Sequence, residues 1–274
     1  MKPVLKPARK QGVLKRAART FKPPRKQDVL SRSVRGLASR GSKTLRRLRP
    51  LLAWVALGIV ASTFLVTALF RSVPPPTSSF MIQRRLSALL EGKKDLRIRY
   101  DWVDWKRISP NAAIAVVAAE DQRFPGHFGF DLDSIADAMK NNSRRKRPRG
   151  ASTITQQVAK NLFLWPGKSF LRKGCEAYFA VLIEAMWPKQ RILEVYLNVA
   201  EFGPGIFGIK AASEAFFRKP PHRLRLDEAA LLAAVLPNPH RLRADNPSEY
   251  VRRRASRIQR QALILGGPAY LGDL

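Results

Sequence analysis

The pattern of apolar and polar positions changes three times along this chain. Residues 1–50 contain few apolar residues and no sustained periodicity. Leu51 to Phe70 then runs twenty residues without a charge. As a helix that length is about 30 Å, the depth of a bilayer's hydrocarbon core. Arg71 and Ser72-Val73-Pro74-Pro75-Pro76 follow, which reads as a stiff spacer. From about residue 80 to 274 apolar positions recur at helical spacing, and the alternating runs that mark strands are scarce. The pattern predicts one transmembrane helix followed by a mainly α outer domain, long enough for a single hydrophobic core. No internal repeat is visible.

Local signals place the helices. Ser109-Pro110 supplies an N-cap and a proline at the first helical position, and Ala112 to Ala119 then runs apolar up to Glu120. Asp131 precedes a second helix in which Ile135, Ala138 and Met139 share a face. Thr153 and Gln156 have capping-box spacing, with Ile154, Val158 and Leu162 as the buried stripe behind them. Ser169 caps a fourth helix ending before Pro188. A fifth is predicted over Arg191 to Glu201, with Ile192, Tyr196 and Val199 on one face, and a sixth over Asp227 to Leu236, closed by Pro237.

Charge orients the anchor. The chain carries a formal +31. Residues 1–50 hold seventeen Lys and Arg against one acid, Asp28, so +16 lies before the apolar span and +15 after it. Arg46, Arg47 and Arg49 flank the span, which predicts a cytoplasmic N-terminus and an outer domain on the far side of the membrane. A cleavable signal peptide would have a shorter apolar core nearer the start, and a small-residue cleavage site after it. The tail, residues 1–50, is expected to be disordered and to lie on anionic headgroups; nucleic acid is not an expected partner. One cysteine, Cys175, excludes an internal disulfide, and three scattered His do not rebuild a zinc site.

The candidate chemistry lies in two stretches. Glu120-Asp121-Gln122-Arg123-Phe124-Pro125-Gly126-His127-Phe128-Gly129-Phe130-Asp131 ends an apolar helix with a carboxylate pair and turns through glycines. A carboxylate held there by packing can face a cleft, and apolar neighbours would tune it for proton transfer. The plain alternative is a solvated acid pair, with His127 a structural histidine. In Gly150-Ala151-Ser152-Thr153-Ile154-Thr155-Gln156-Gln157-Val158-Ala159-Lys160-Asn161 the residues Thr153, Gln156, Gln157 and Lys160 cover one helical arc. Amides and an amine without acids suit sugar hydroxyls and phosphate oxygens. Downstream, Arg172 and Lys173 stand four and three residues before Glu176. That spacing reads either as a surface ion-pair ladder, worth about 0.2–0.5 kcal/mol per pair, or as a cationic pocket for a diphosphate with Glu176 ordering the cations or holding a metal.

These stretches, with Arg172-Lys173-Gly174-Cys175-Glu176 and Lys189-Gln190-Arg191-Ile192-Leu193-Glu194-Val195-Tyr196-Leu197-Asn198 in the same order, resemble glycosyltransferase family 51, and within it the monofunctional biosynthetic peptidoglycan transglycosylases. The resemblance covers roughly residues 90–265 and extends to Phe202-Gly203-Pro204-Gly205-Ile206-Phe207-Gly208. It implies a lysozyme-like helical fold with a membrane-associated jaw, and polymerisation of lipid II into β-1,4-linked glycan in the bacterial inner membrane. It divides the chain into a cytoplasmic tail (1–50), the transmembrane helix (51–70), a linker (71–89) and a periplasmic catalytic domain (90–274). On this resemblance Glu120 is the base for the acceptor 4-hydroxyl and Glu176 the second essential acid. Ser152, Thr153, Gln156, Gln157, Lys160, Asn161, Lys168, Arg172 and Lys173 form the substrate and pyrophosphate contacts. The one cofactor with a place in this picture is a divalent cation, Mg2+ or Mn2+, accompanying the pyrophosphate. Expected partners are lipid II, the growing glycan, membrane lipids, and proteins of cell division or elongation.

Two features depart from the family pattern. Lys168 stands where the family has Arg, forfeiting a bidentate fork to phosphate, and the Ser143–Pro148 run is unusually basic. Leu162-Phe163-Leu164-Trp165 between Lys160 and Lys168, together with Phe124, Phe128 and Phe170, is read as an interfacial apolar surface, with ordinary core as the alternative. Two other functions compete with polymerisation: a lytic transglycosylase or muramidase, and a catalytically inactive membrane scaffold. A hydrolase must protonate a poor alkoxide leaving group, whereas a diphosphate needs charge neutralisation, and the cation cluster favours the latter. Ser143-Arg144-Arg145-Lys146 fits a Ser-x-x-Lys pattern, but no Lys-Thr-Gly follows.

Overall fold

The computed structural model describes residues 49–92, 97–142, 152–167 and 169–274. The basic tail, the Ser143–Pro148 run, Gly150, Ala151, Lys168 and the side chains of Ala138 and Met139 lie outside the described residues. Helix α1 (Arg49–Phe70) is long and apolar enough to cross a membrane, and only 6% of its apolar window is buried. The chain divides into two compact units, Met1–Ala61 and Ser62–Leu274. The last turns of α1 therefore belong with the outer unit, and specific bonds hold them there. Trp187 Nε1 donates to Thr67 O at 2.7 Å, and Arg191 donates to Phe70 O at 3.0 and 3.1 Å and to Val73 O at 2.9 Å. The Thr67 and Phe70 carbonyls are among the orphan acceptors that any helix C-terminus leaves. Tyr100 donates to Pro75 O at 2.6 Å, so the proline stretch is fastened to the domain rather than standing off it as a spacer.

The outer unit is mainly helical. Helix α2 (Ser79–Leu90) precedes a two-residue strand, β1 (Arg99–Tyr100). Helix α3 (Pro110–Glu120) is capped by Ser109, whose hydroxyl accepts from Asn111 N, as the sequence predicts. It is buried on every side from Ala112 to Ala118 and packs on α9 (Leu226–Val235) and α10 (Glu249–Ile264). Buried alanines at Ala112, Ala113, Ala115, Ala229, Ala230, Ala233 and Ala234 keep side chains short where these helices pack. Helix α4 (Leu132–Asn142) opens at Asp131, whose carboxylate accepts from Ser134 N at 2.9 Å. Helix α5 (Ile154–Phe163) lies on α6 (Phe170–Met186) and α7 (Lys189–Val199).

Helix α7 starts two residues earlier than predicted and shows no solvent face: every residue from Arg191 to Val199 is buried. Its polar groups are consequently used internally. Glu194 pairs with Arg191 at 2.7 Å and accepts from Trp105 N, also at 2.7 Å, and Asn198 both donates to and accepts from the Val103 backbone. A small sheet of order β1-β3-β2 follows, with β2 (Glu201–Gly203) antiparallel and β1 parallel to β3 (Ile206–Phe207). Gly208 then turns at φ 86°, where an added Cβ would lie 2.6 Å from Asn198 O, and helix α8 (Ile209–Phe217) begins.

Candidate active site

Glu120 is the last residue of α3, and its side chain keeps 16% exposure. One carboxylate oxygen, Oε2, accepts from Gln157 Nε2 at 3.0 Å. Among the described residues the other, Oε1, has only a long contact to Arg254 Nη2 on α10, at 3.4 Å. Burial pushes the Glu120 carboxyl above its ordinary value; the Gln157 amide, Arg254 and Lys160 pull the other way without cancelling it.

The neighbouring acid does different work. Asp121 leaves the helix with φ −160° and ψ 79°, and its side chain is 2% exposed. It accepts from Ile154 N at 2.9 Å and from His127 Nε2 at 2.9 and 3.1 Å. The acid pair is thus split: Asp121 ties the end of α3 to the start of α5, and Glu120 is left toward Gln157. His127 is a hydrogen-bonded structural histidine here. Thr155 Oγ1 and Lys189 Nζ reach Glu184 Oε1 at 2.6 and 2.8 Å, and Lys189 also donates to His127 O and lies 4.7 Å above the Phe124 ring. Gly129, at φ 76°, completes the loop. A Cβ there would press on Glu184 Cγ at 3.0 Å.

On α5 the predicted polar arc divides. Thr153 and Gln156 form the capping box, with Thr153 Oγ1 also donating to Gly129 O at 2.7 Å. Both side chains are buried, as are Ile154, Val158 and Leu162 on the predicted stripe. Gln157 alone reaches Glu120, and Tyr196 of α7 donates to its Oε1 at 3.2 Å. Lys160 is half-buried over the Phe80 ring, and burial pushes its ammonium below the ordinary lysine range, with Glu176 and Glu120 opposing that shift. Asn161 is buried and Ser152 exposed, the latter 3.4 Å from Lys173 Nζ.

Helix α6 brings in the second acid. Ser169 caps it by accepting from Arg172 N at 3.1 Å. One turn on, Glu176 is 3% exposed at its side chain, pairs with Arg172 Nη1 at 2.7 Å, and is bonded by Lys173 Nζ. A surface ladder would leave this acid in water, so the pairing is part of a buried cluster. Lys160 feels both carboxylates and both neighbouring cations, which brings α5 and α6 together around one site. Glu176's oxygens are both taken by cations, and among the described residues no group of three metal-ligating side chains occurs. This donor set does not suit a resident metal.

The interfacial surface needs correction. Phe124, Leu162 and Leu164 are core residues, at 0%, 6% and 2% exposure, and Phe163 stacks on Phe179 at 4.4 Å. Phe128, Trp165 and Phe170 remain exposed, joined by Leu132 and Leu171. A cavity of about 710 Å3 opens beside this loop, lined by residues including Arg123, Phe128, Phe130 and Tyr270; Glu120 is not among its lining residues. Sequence reasoning did not find Arg254, which lies 134 residues beyond Glu120 on an arginine-rich helix with no distinguishing local signal. Nor did it find the use of Tyr196, which reads as core.

Comparison with known proteins places the chain in a family. Residues 89–263 match the family model described as Transglycosylase. Among curated proteins, the chain is 51% identical over 239 residues to the biosynthetic peptidoglycan transglycosylase of Xanthomonas campestris pv. campestris (strain B100), covering 86% of this chain and 97% of that one. It is 52% identical over 229 residues to the protein of that name from Pectobacterium carotovorum subsp. carotovorum (strain PC1), covering 81% and 94%. The like-named protein of Pasteurella multocida (strain Pm70) is 54% identical over 198 residues, covering 72% and 80%.

Proposed function

The chain belongs to the transglycosylase family, as a glycosyltransferase of peptidoglycan synthesis, and on that premise we propose that it polymerises lipid II into β-1,4-linked glycan with inversion at the donor carbon. The observation that carries this reading is the unequal setting of the two acids. Glu120 is desolvated, held by a neutral amide on one oxygen, and carries a raised carboxyl, which is the tuning a general base needs. Glu176 is neutralised on both oxygens by Arg172 and Lys173.

In this mechanism the acceptor 4-hydroxyl gives its proton to Glu120 Oε1, the oxygen with the long Arg254 contact. The hydroxyl oxygen bonds the donor's anomeric carbon as the carbon–oxygen bond to undecaprenyl diphosphate breaks on the opposite face. The diphosphate leaves as an anion and takes no proton. Lys160, Arg172 and Lys173 neutralise the charge it gains, with Ser152 beside Lys173 at the edge of that cluster; Lys168, outside the described residues, is proposed as a further phosphate contact. Thr153, Gln156 and Asn161 shape the wall. The lysozyme-like helical domain would stand on the periplasmic side of the inner membrane, its exposed Trp165, Phe170 and Leu171 at headgroup depth as the jaw, and α1 would cross with its N-terminus in the cytoplasm. Proteins of cell division or elongation are the proposed partners.

The test is direct. The full chain in detergent is incubated with lipid II, and any polymer is digested with a muramidase. Wild type is expected to give muramidase-sensitive glycan and Glu120→Gln none, with lipid II binding retained. Full glycan synthesis by Glu120→Gln would overturn the mechanism. A polymer-free wild type that instead cleaves preformed glycan would establish the lytic alternative, and one that does neither would establish the inactive scaffold.

A further inference from the structure

We propose that Tyr196 is a positioning residue of the reaction, its hydroxyl fixing which end of the Gln157 side-chain amide faces Glu120. The proposal rests on the reading of Glu120 as the base. Tyr196 is 1% exposed, in the middle of α7, and its hydroxyl lies 3.2 Å from Gln157 Oε1. An amide oxygen only accepts, so the tyrosine must donate. That leaves Gln157 Nε2 directed at Glu120 Oε2, 3.0 Å away.

Turning the amide over would set its oxygen against the carboxylate, two acceptors face to face. It would also make Tyr196 the acceptor and strand a buried O–H, a costly outcome away from water. Both penalties favour the orientation in which Glu120 is stabilised as an anion able to take a proton. Burial holds the Tyr196 phenol well above its usual range, so it remains a neutral donor wherever the enzyme is assayed. The other groups facing Glu120 are Lys160 on α5, Arg254 on α10 and the adjacent Asp121; none of them bonds the Gln157 amide oxygen. Removing the hydroxyl leaves the ring in the core but removes the preference for one amide orientation.

Tyr196→Phe tests this with a readout that core packing would not move. Expected are a roughly three- to tenfold lower kcat at neutral pH, an unchanged KM for lipid II, and an acid limb of kcat/KM displaced upward by about half to one pH unit. Gln157→Ala should displace the limb in the same direction, and the double variant should lose no more than Gln157→Ala alone. An acid limb at the wild-type position in Tyr196→Phe, or additive losses in the double variant, would overturn the proposal. Should Tyr196→Phe fail to fold, an unmoved limb in Gln157→Ala would do so. Glu120→Gln, assayed alongside, separates the two ideas. If it polymerises lipid II, the base reading and this proposal both fall; if it is inactive while Tyr196→Phe keeps the wild-type limb, only the role of Tyr196 falls.

Discussion

Asp121→Asn is nearly isosteric, yet the geometry predicts a large effect. The carboxylate serves two donors, Ile154 N–H at the start of α5 and His127 Nε2–H. Asparagine offers one oxygen and one NH2. If its oxygen stays with Ile154, the NH2 faces His127 Nε2, which must become an acceptor and carry its proton on Nδ1. That nitrogen is buried without a partner among the described residues. If the oxygen instead serves His127, two N–H groups face each other at Ile154. Either arrangement strands one buried donor, at about 1–3 kcal/mol. Loss of a negative charge at a helix N-terminus adds roughly 0.3–1 kcal/mol. A total of about 1.3–4 kcal/mol corresponds to a fall in Tm on the order of 10 °C for a domain of this size. Melting of the full chain in detergent, followed by circular dichroism, measures it, and amide exchange at Ile154 should quicken in parallel. Asp133→Asn, in the first turn of α4, is the control. That acid is 80% exposed at its side chain and pairs with an exposed Arg123, so its loss should cost less than about 1 kcal/mol. If Asp121→Asn melted with the control, Asp121 would not be the tie between α3 and α5.

Two further variants follow from the same network. Glu120 should lower stability at neutral pH. Its folded carboxyl sits above the unfolded value, so its favourable contribution is complete below the ordinary carboxylate range and is lost as pH rises through the folded value. Glu120→Gln is therefore expected to melt no lower than wild type at neutral pH, with any advantage shrinking on acidification; a clearly lower Tm at pH 7.5 would contradict this. Arg191→Met removes the cap on Phe70 O and Val73 O and leaves Glu194 unpaired, which should cost about 3 kcal/mol. It should also speed proteolysis between residues 70 and 79; cleavage at the wild-type rate would show that Arg191 does not hold that segment.

Much of the helical frame was legible because its signals are local. Ser109, Thr153 and Ser169 cap helices where their side chains alone predict it. Helix α10 was harder to see, since arginines fill the positions between Val251, Ala255, Ile258 and Ala262 and dilute an apolar stripe that does face the core. Helix α7 misleads in the opposite sense. Its charged residues suggest a wet face, but Arg191, Glu194 and Asn198 satisfy one another and nearby backbone inside the domain. The two acids of the site, and the cations one turn before Glu176, fall within short motifs and were readable. What local pattern could not supply was the use of each side chain in space. Gln156 and Gln157 are adjacent amides, yet one closes the cap and the other reaches Glu120. Arg254 enters from 134 residues away, and no spacing rule reaches that far.

The unequal surroundings of the two carboxylates also bear on the direction of the proposed chemistry. Around Glu176 the cluster contains Lys160, Arg172 and Lys173, three cations against one acid, leaving two positive charges for an incoming group. A diphosphate ester carries about two negative charges, and burial makes each pairing stronger than it would be in water. Without that ligand the excess charge is costly; burial first, and then the nearby Arg172 and Lys173, hold the Lys160 ammonium below its ordinary range. Binding a lipid diphosphate would relieve it and return Lys160 toward its ordinary range. A hydrolase cleaving a neutral glycosidic bond would gain nothing from this excess of cations, because its leaving oxygen needs a proton rather than charge neutralisation. The same charge balance that favours the diphosphate therefore offers nothing to cleavage of the glycan.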